Sequence, residues 1–123
     1  MLSKFITLLF WGLAIIHMMP AISALFPTKL AHLYGVNIDD KTLITLLQHR
    51  AILFGLLALA CIYAAYTPLI QKPVLIGAVL SMGSFVGLAM FRDQLSTALA
   101  KIVYVDLIGL AIALILIILL SRT

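Results

Sequence analysis

The sequence predicts an all-α membrane protein, a four-transmembrane-helix up-down bundle with a short interfacial helix in the first loop. Of its 123 residues, 65% are apolar and only 10% are charged, whereas soluble domains are nearer half apolar and a quarter charged. The apolar residues form four runs, each about the length that crosses a bilayer core, roughly 17–25 residues. Prolines and charges fall between the runs. Because backbone polar groups must be paired in lipid, each run is expected to be a helix.

The four helices are expected within a single domain, at about residues 4–26, 40–66, 73–91 and 95–120. The first run follows Lys4 and resembles a secretory signal, but its apolar stretch is longer than a usual signal core. We therefore expect it to be retained as a helix. The second and third connections are short, which predicts that consecutive helices are antiparallel neighbours.

The first connection, "PTKLAHLYGVNIDDKT", is the only long one. Residues 28–34 are expected to form one or two helical turns, ended by Gly35 in the left-handed conformation. Leu30, Leu33 and Tyr34 would then face lipid headgroups while Lys29 and His32 face water. Asp39 or Asp40 is expected to cap the next helix. The segment is either an ordinary interfacial loop or a lid.

An even number of spans places both termini on one face, called here the N-terminal face. That face would carry Lys4, Lys72 and Arg122, and the opposite face would carry Lys29, Lys41 and Arg92, with Lys101 at its edge. The positive charges are nearly balanced. The N-terminal face has the shorter loops and no acidic residue, which favours a cytoplasmic position for both termini.

Polar groups from several helices are expected at one depth. Arg50 lies about ten residues after the start of the second helix, and Asp106 about eleven after that of the fourth, near Gln94–Leu95. At about 1.5 Å per residue, the two charges reach similar depths below the opposite face. His17 and the stretch Ser81–Ser84 are expected in the same layer.

Charges within a bilayer cost roughly 2.5–3.5 kcal/mol each on insertion scales, so matched depth indicates that Arg50 and Asp106 pair. The pair either only joins the second and fourth helices or lines a cavity; a third interpretation extends Arg50 to the opposite face. In the cavity interpretation, His49 and Arg50 form a polar floor, with His17, Tyr104 and Asp106 as walls. Adjacent residues diverge by about 100° around a helix, so both floor residues fit only a wide interior. Such a pocket suits the head group of an amphiphile.

No catalytic motif, metal motif or phosphate loop is visible. We therefore predict no catalytic residue, no metal site and no cofactor, and leave a bound lipid or quinone as the small-molecule ligand. Scattered basic residues do not form a nucleic-acid surface. The spacings Gly83-xxx-Gly87 and Gly77-xxx-Ser81 allow close helix approach, either within the bundle or in a homo-oligomer or larger membrane complex.

Two stretches, "LFPTKLAHLYGV" and "HRAILFGLLALACIYAA", are similar to segments of small four-span bacterial membrane proteins of the DoxX-like type. The resemblance implies a four-helix bundle of the bacterial inner membrane with a largely uncharacterised function. The matching residues are His49, Arg50 and Gly55, to which it assigns no established role. Two functions remain: a bundle that binds an amphiphile, and a non-catalytic accessory or scaffold subunit.

Overall fold

The computed structural model describes residues 1–23, 25–37, 39–92 and 96–122, and the helices within these ranges confirm an all-α fold. The helices are α1 (Leu2–Ser23), α2 (Pro27–Tyr34), α3 (Lys41–Tyr66), α4 (Gln71–Met90) and α5 (Thr97–Ser121), and a single 3₁₀ turn (Pro68–Ile70) leads into α4. The expected start of the last helix at Gln94–Leu95 lies outside the described residues. The Ser96 hydroxyl accepts the Leu99 N–H at 3.1 Å and caps α5.

Four of the helices, α1, α3, α4 and α5, are long and apolar enough to cross a membrane. Many of their large apolar side chains are exposed on the outside of the bundle, as at Leu8, Leu59, Leu80 and Ile108. In a bilayer this apolar surface contacts lipid tails rather than water, so leaving it outside the bundle is not unfavourable. These features are those of an integral membrane protein.

The long helices form a closed ring in the order α1, α3, α4, α5, with the most extensive packing between α1 and α3. Consecutive long helices are therefore neighbours, which fits the predicted up-down topology. Helices α3 and α5 lie on opposite corners of the ring. The short helix α2 packs on α1, α3 and α5 at the opposite face.

Local signals at the first connection are confirmed. Gly35 ends α2 with a φ of 66°, and the Asp40 side chain accepts the Leu43 N–H at 3.1 Å to cap α3. The expected direction of α2 was wrong, because Leu30 and Tyr34 are buried. Both pack towards Ala51 rather than towards lipid headgroups. A helix that rests on three others buries its apolar side against them, which favours this orientation over the headgroup layer.

Two apolar clusters make up the interior. The larger occupies the half of the bundle near the N-terminal face and centres on Phe10, Leu13, Cys61, Met82 and Leu116. Many of its other members are alanines, which let the helices approach closely. The smaller cluster attaches α2 to α3 and α5 around Leu30, Tyr34 and Ala51.

The ends of the helices at the N-terminal face are joined by hydrogen bonds to the last turn of α3. The Thr7 hydroxyl donates to the Ala65 carbonyl at 3.0 Å, and the Gln71 side-chain amide donates to the Ala64 carbonyl at 3.0 Å. The last carbonyls of a helix have no partner within it. Thr7 therefore satisfies the Ala65 carbonyl near the hydrocarbon layer, and Gln71 gives a second donor to the Ala64 carbonyl, which also accepts the Thr67 N–H at 3.2 Å.

Candidate functional site

Three polar side chains, on three different helices, lie towards the opposite face from the larger apolar cluster. On α5, Asp106 falls between the residues of the two clusters. On α3, Arg50 lies within the smaller cluster, between Leu47 and Ala51, and on α1 His17 follows Ala14 of the larger cluster by three residues. The depth expected from residue counting thus describes their position along the helices. The direction of each side chain and its contacts decide which of them form a site.

The guanidinium of Arg50 is surrounded by aromatic rings. Its Cζ atom lies 4.6 Å from the ring centroid of Phe54 and 4.8 Å from that of Phe85. Tyr34 adds a third ring at 5.9 Å, and its hydroxyl accepts a hydrogen bond from Arg50 Nε at 3.3 Å. Cations are attracted to aromatic faces at these distances. Arg50 therefore connects α3 with α4 and, through Tyr34, with α2.

His17 is 2% exposed and is fixed by its own helix. Its Nδ1 atom lies 2.8 Å from the Leu13 carbonyl oxygen. A carbonyl only accepts hydrogen bonds, so Nδ1 must carry the proton. The other ring nitrogen, Nε2, is buried and has no hydrogen-bond partner among the described residues. The ring also packs edge-on against Phe54, with centroids 5.7 Å apart.

Asp106 is 9% exposed, and the positive charge of Arg50 acts electrostatically on its carboxylate. The two side chains nevertheless form no direct ion pair, since none is present between them at 4.0 Å or less. The reason is their position in the ring. Arg50 is on α3 and Asp106 is on the diagonally opposite α5, and the Arg50 guanidinium is occupied by Phe54 and Phe85.

Two expected members do not join this layer. His49 is exposed beside Arg50, and Tyr104 is 67% exposed. Neither lines the cavity between α1 and α5. Helical geometry explains both placements, because a residue one position away is rotated by about 100° and a residue two positions away by about 200°. Arg50 and Asp106 face the interior of the bundle. The neighbouring residues His49 and Tyr104 therefore point outwards.

In the stretch Ser81–Ser84, Ser84 does not contribute to this layer either. Ser84 is exposed, and its hydroxyl donates to the Ser81 carbonyl of its own helix at 3.1 Å. The contribution of α4 is instead the aromatic ring of Phe85. A helical serine often satisfies itself in this way, which removes the need for a partner on another helix.

A cavity of about 500 Å³ lies between α1, α2 and α5. His17 and Asp106 provide its buried polar groups, and apolar side chains provide most of the wall, among them Ile16, Leu33, Phe54 and Ile102. Arg50 does not line it, whereas Tyr34 and Phe54, two of the rings next to the guanidinium, do. The polar floor expected at His49 and Arg50 is thus replaced by His17 and Asp106.

The cavity has an outer end and a side opening. His32 and Lys101 line it near the opposite face and are exposed. Met19 and Val105 also line it, and both are exposed on the outer surface of the bundle. Its side opening therefore lies between α1 and α5, on the surface that would contact lipid. An amphiphile can reach such a cavity without leaving the membrane.

Three aromatic residues of this region were absent from the sequence-based site: Tyr34, Phe54 and Phe85. Phe54 lies four residues after Arg50, a spacing that places two side chains on the same side of a helix. That signal was available. The position of Phe85 depends on how α4 packs against α3, which one sequence does not determine. No group of three or more His, Cys, Asp or Glu side chains forms a metal site within the described ranges.

Comparisons with known proteins give no family assignment: no family model, curated protein or solved structure matches the chain.

Proposed function

We propose that this protein binds an amphiphilic small molecule, such as a lipid or a quinone, in the cavity between α1, α2 and α5. The observation that carries the proposal is a cavity of about 500 Å³ with mostly apolar walls. Two buried polar groups line it: His17, whose Nε2 has no hydrogen-bond partner among the described residues, and Asp106, whose side chain takes part in no described hydrogen bond. Ligand sites commonly have volumes of about 300–1,000 Å³ and a few polar groups among apolar walls.

The polar and apolar parts of the cavity match the head group and the tail of an amphiphile. A head group is accommodated by His17 and Asp106, and an apolar tail leaves between Met19 and Val105 into the bilayer. Burial of each methylene of such a tail contributes about 0.8 kcal/mol. Nothing in this arrangement requires a reaction, so binding, sensing or delivery of the ligand is the activity proposed.

We further propose that the protein belongs with the DoxX-like four-span proteins and lies in a bacterial inner membrane with both termini in the cytoplasm. The support is the similarity of two segments, one that contains α2 and one that covers residues 49–65 of α3, together with the short, acid-free connection at the N-terminal face. Short loops with positive charge favour the cytoplasmic side.

Native mass spectrometry of gently extracted protein tests the binding proposal. We expect the wild-type protein to retain a lipid or quinone. We expect Val105→Trp to lose it, because the indole ring of the tryptophan would fill the side opening. Ile108→Trp is the matched control, since Ile108 is exposed on the same helix and does not line the cavity. Equal ligand retention in both variants, or empty wild-type protein, would contradict the proposal.

The accessory or scaffold function remains a second candidate because of α4. An added Cβ at Gly83 or Gly87 would meet no atom within 4 Å, so this side of α4 has room for a close-packed neighbouring helix. Gly87→Ile would obstruct such a neighbour. Under this candidate, the mass of the detergent-extracted assembly, measured by light scattering, falls in Gly87→Ile and is unchanged in Ile108→Trp. An unchanged mass in both variants would exclude this use of α4.

A further inference from the structure

We propose that the inner end of the cavity selects a neutral, hydroxylated ring, of which a hydroquinone is the example tested below, over a ring that only accepts hydrogen bonds. The inference rests on the proposed amphiphile binding and adds the chemistry of the head group. It follows from the donors and acceptors that the buried residues present.

The first acceptor is His17. Its Nδ1–H is used by the Leu13 carbonyl at 2.8 Å, which fixes the tautomer. Among the described residues, no acidic side chain pairs with His17 at 4.0 Å or less, so a charged imidazolium here would be buried without a counter-ion, which is unfavourable. In the neutral ring, Nε2 has a lone pair and no proton. Nε2 has no partner among the described residues, and a ligand hydroxyl would provide one.

The second acceptor is Asp106. It lines the cavity while only 9% exposed, and its side chain takes part in no described hydrogen bond. An ionised carboxylate accepts hydrogen bonds and donates none. Asp106 and His17 therefore both favour a ligand that donates. Desolvated acceptors of this kind discriminate strongly against a molecule that leaves them unpaired.

Tyr34 completes the set. Its hydroxyl oxygen accepts from Arg50 Nε at 3.3 Å, and its proton is used in no described hydrogen bond. The Tyr34 side chain lines the cavity, so this proton is a donor for a ligand oxygen. A hydroxyl group both donates and accepts. It therefore satisfies Tyr34 as well as an acceptor, whereas a quinone oxygen satisfies Tyr34 alone.

The surrounding charges favour a neutral ligand over an ammonium. Lys101 lines the outer part of the cavity, and the Arg50 guanidinium acts on Asp106 from behind the wall. Two positive charges thus oppose one carboxylate, and a cationic head group would be repelled. The rings of Phe54 and His17, which pack edge-on to each other, give the wall flat surfaces for an aromatic head group.

A matched pair of probes separates donating from accepting head groups. Decylhydroquinone and decylbenzoquinone have nearly the same shape and tail, and differ in whether their ring oxygens carry protons. Binding of each probe to wild-type protein in lipid nanodiscs is measured by anaerobic equilibrium dialysis. We expect the hydroquinone to bind at least about tenfold more tightly, which corresponds to about 1.4 kcal/mol.

The variant Asp106→Asn tests the source of this preference. A carboxamide keeps an oxygen acceptor and adds an NH₂ donor, so the preference should fall to about threefold or less through tighter quinone binding. Tyr104→Phe is the control, because this exposed residue of α5 does not line the cavity; the tenfold preference should persist in it. Circular dichroism verifies that both variants retain their helices.

The outcomes are distinct even if Asp106→Asn fails to fold, because the wild-type comparison alone decides the main point. Equal binding of the two probes, or tighter binding of the quinone, overturns the selection of a donor and leaves amphiphile binding intact. If neither probe binds while native lipid is retained and lost in Val105→Trp, the ring-specific inference is wrong and the proposed function stands. If no ligand of any kind is retained, both fail.

Discussion

Arg50 places a positive charge within the half of the bundle covered by α2, and aromatic rings replace an acidic partner. Phe54 and Phe85 lie within 5 Å of the guanidinium carbon. Such contacts contribute about 0.5–2 kcal/mol each, more when water is excluded. The side chain therefore stabilises the packing of α3 on α4 as well as the position of Tyr34.

Arg50→Ala is expected to reduce the free energy of unfolding by about 2 kcal/mol or more, from the lost ring contacts and one hydrogen bond. The measurement is thermal unfolding in detergent. Lys72→Ala is the control because Lys72 is exposed at the N-terminal face, and its melting temperature should stay close to that of the wild type. A shift no larger in Arg50→Ala than in Lys72→Ala would show that the rings do not hold the guanidinium.

Asp106→Asn is expected either to stabilise the protein or to change its free energy of unfolding by less than about 1 kcal/mol. The carboxylate is buried without a direct partner among the described residues. A neutral amide of the same shape loses less hydration free energy when it is buried. The same thermal series measures it. A destabilisation as large as that of Arg50→Ala would instead indicate a water-bridged Arg50–Asp106 pair.

At the scale of residues, the sequence predicts how deep a polar residue lies in the bundle. It does not predict the direction in which the side chain points. Counting residues from the helix ends correctly places His17, Arg50 and Asp106 beyond the larger apolar cluster, towards the opposite face. The same count includes His49 and Tyr104, which are exposed. The side of a helix that faces inwards depends on its neighbours, and apolar residues on all sides of these helices give no polar stripe to mark it.

At the scale of single elements, the end of α2 was predicted more accurately than its surface. Gly35, which ends α2, and Asp40, which caps the start of α3, gave correct signals because capping is local chemistry. The burial of Leu30 and Tyr34 depends on three other helices. As one wall of the cavity, α2 also determines how the cavity is closed near the opposite face.

Gly35→Ala is expected to destabilise the protein by about 1–2 kcal/mol. The residue has a φ of 66°, a conformation that costs an L-residue about that much, and a Cβ there would lie 3.1 Å from the Ser96 hydroxyl. Thermal unfolding and retention of bound ligand are measured together. Unchanged values for both would show that α2 can end differently without consequence for the cavity.

Gly109→Ala is expected to destabilise the bundle by about 1–3 kcal/mol, the usual cost of overpacking. An added Cβ would overlap the sulfur of Met82, which is itself fully buried where α4 packs on α5. Gly83→Ala is the matched control on α4, because a Cβ there meets nothing within 4 Å. It should be neutral, or more stable by about 0.5–1 kcal/mol because alanine favours helix. Similar melting temperatures in the two variants would contradict this view of the α4–α5 contact.

For the whole molecule, the fold class and the number of spanning helices were predictable because both depend on composition and segment length. The ring order was not, since four antiparallel helices can close in more than one way. That order places α3 and α5 on a diagonal and thereby prevents the direct Arg50–Asp106 ion pair. A contact expected from matching depth failed because of topology.

Cysteines introduced one at a time at positions 3, 37 and 122 test the topology in sealed vesicles, because the native Cys61 is buried. With four spans, we expect Ser3→Cys and Arg122→Cys to react with a membrane-impermeant maleimide from the same side. Asn37→Cys, which follows α2, should react from the other side. Reaction of positions 3 and 122 from different sides would exclude an even number of spans.

The lone Cys61 gives the molecule a reporter of its own opening. It is fully buried in the larger cluster, so the folded bundle should shield its thiol from alkylation. When opening and closing are faster than the reaction, the alkylation rate reflects the equilibrium population of open molecules. A permeant maleimide can therefore rank the stabilities of the variants above that gain no cysteine. The measurement is made in an intact bilayer, whereas thermal unfolding is measured in detergent. The native sequence serves as the probe, and no label has to be introduced.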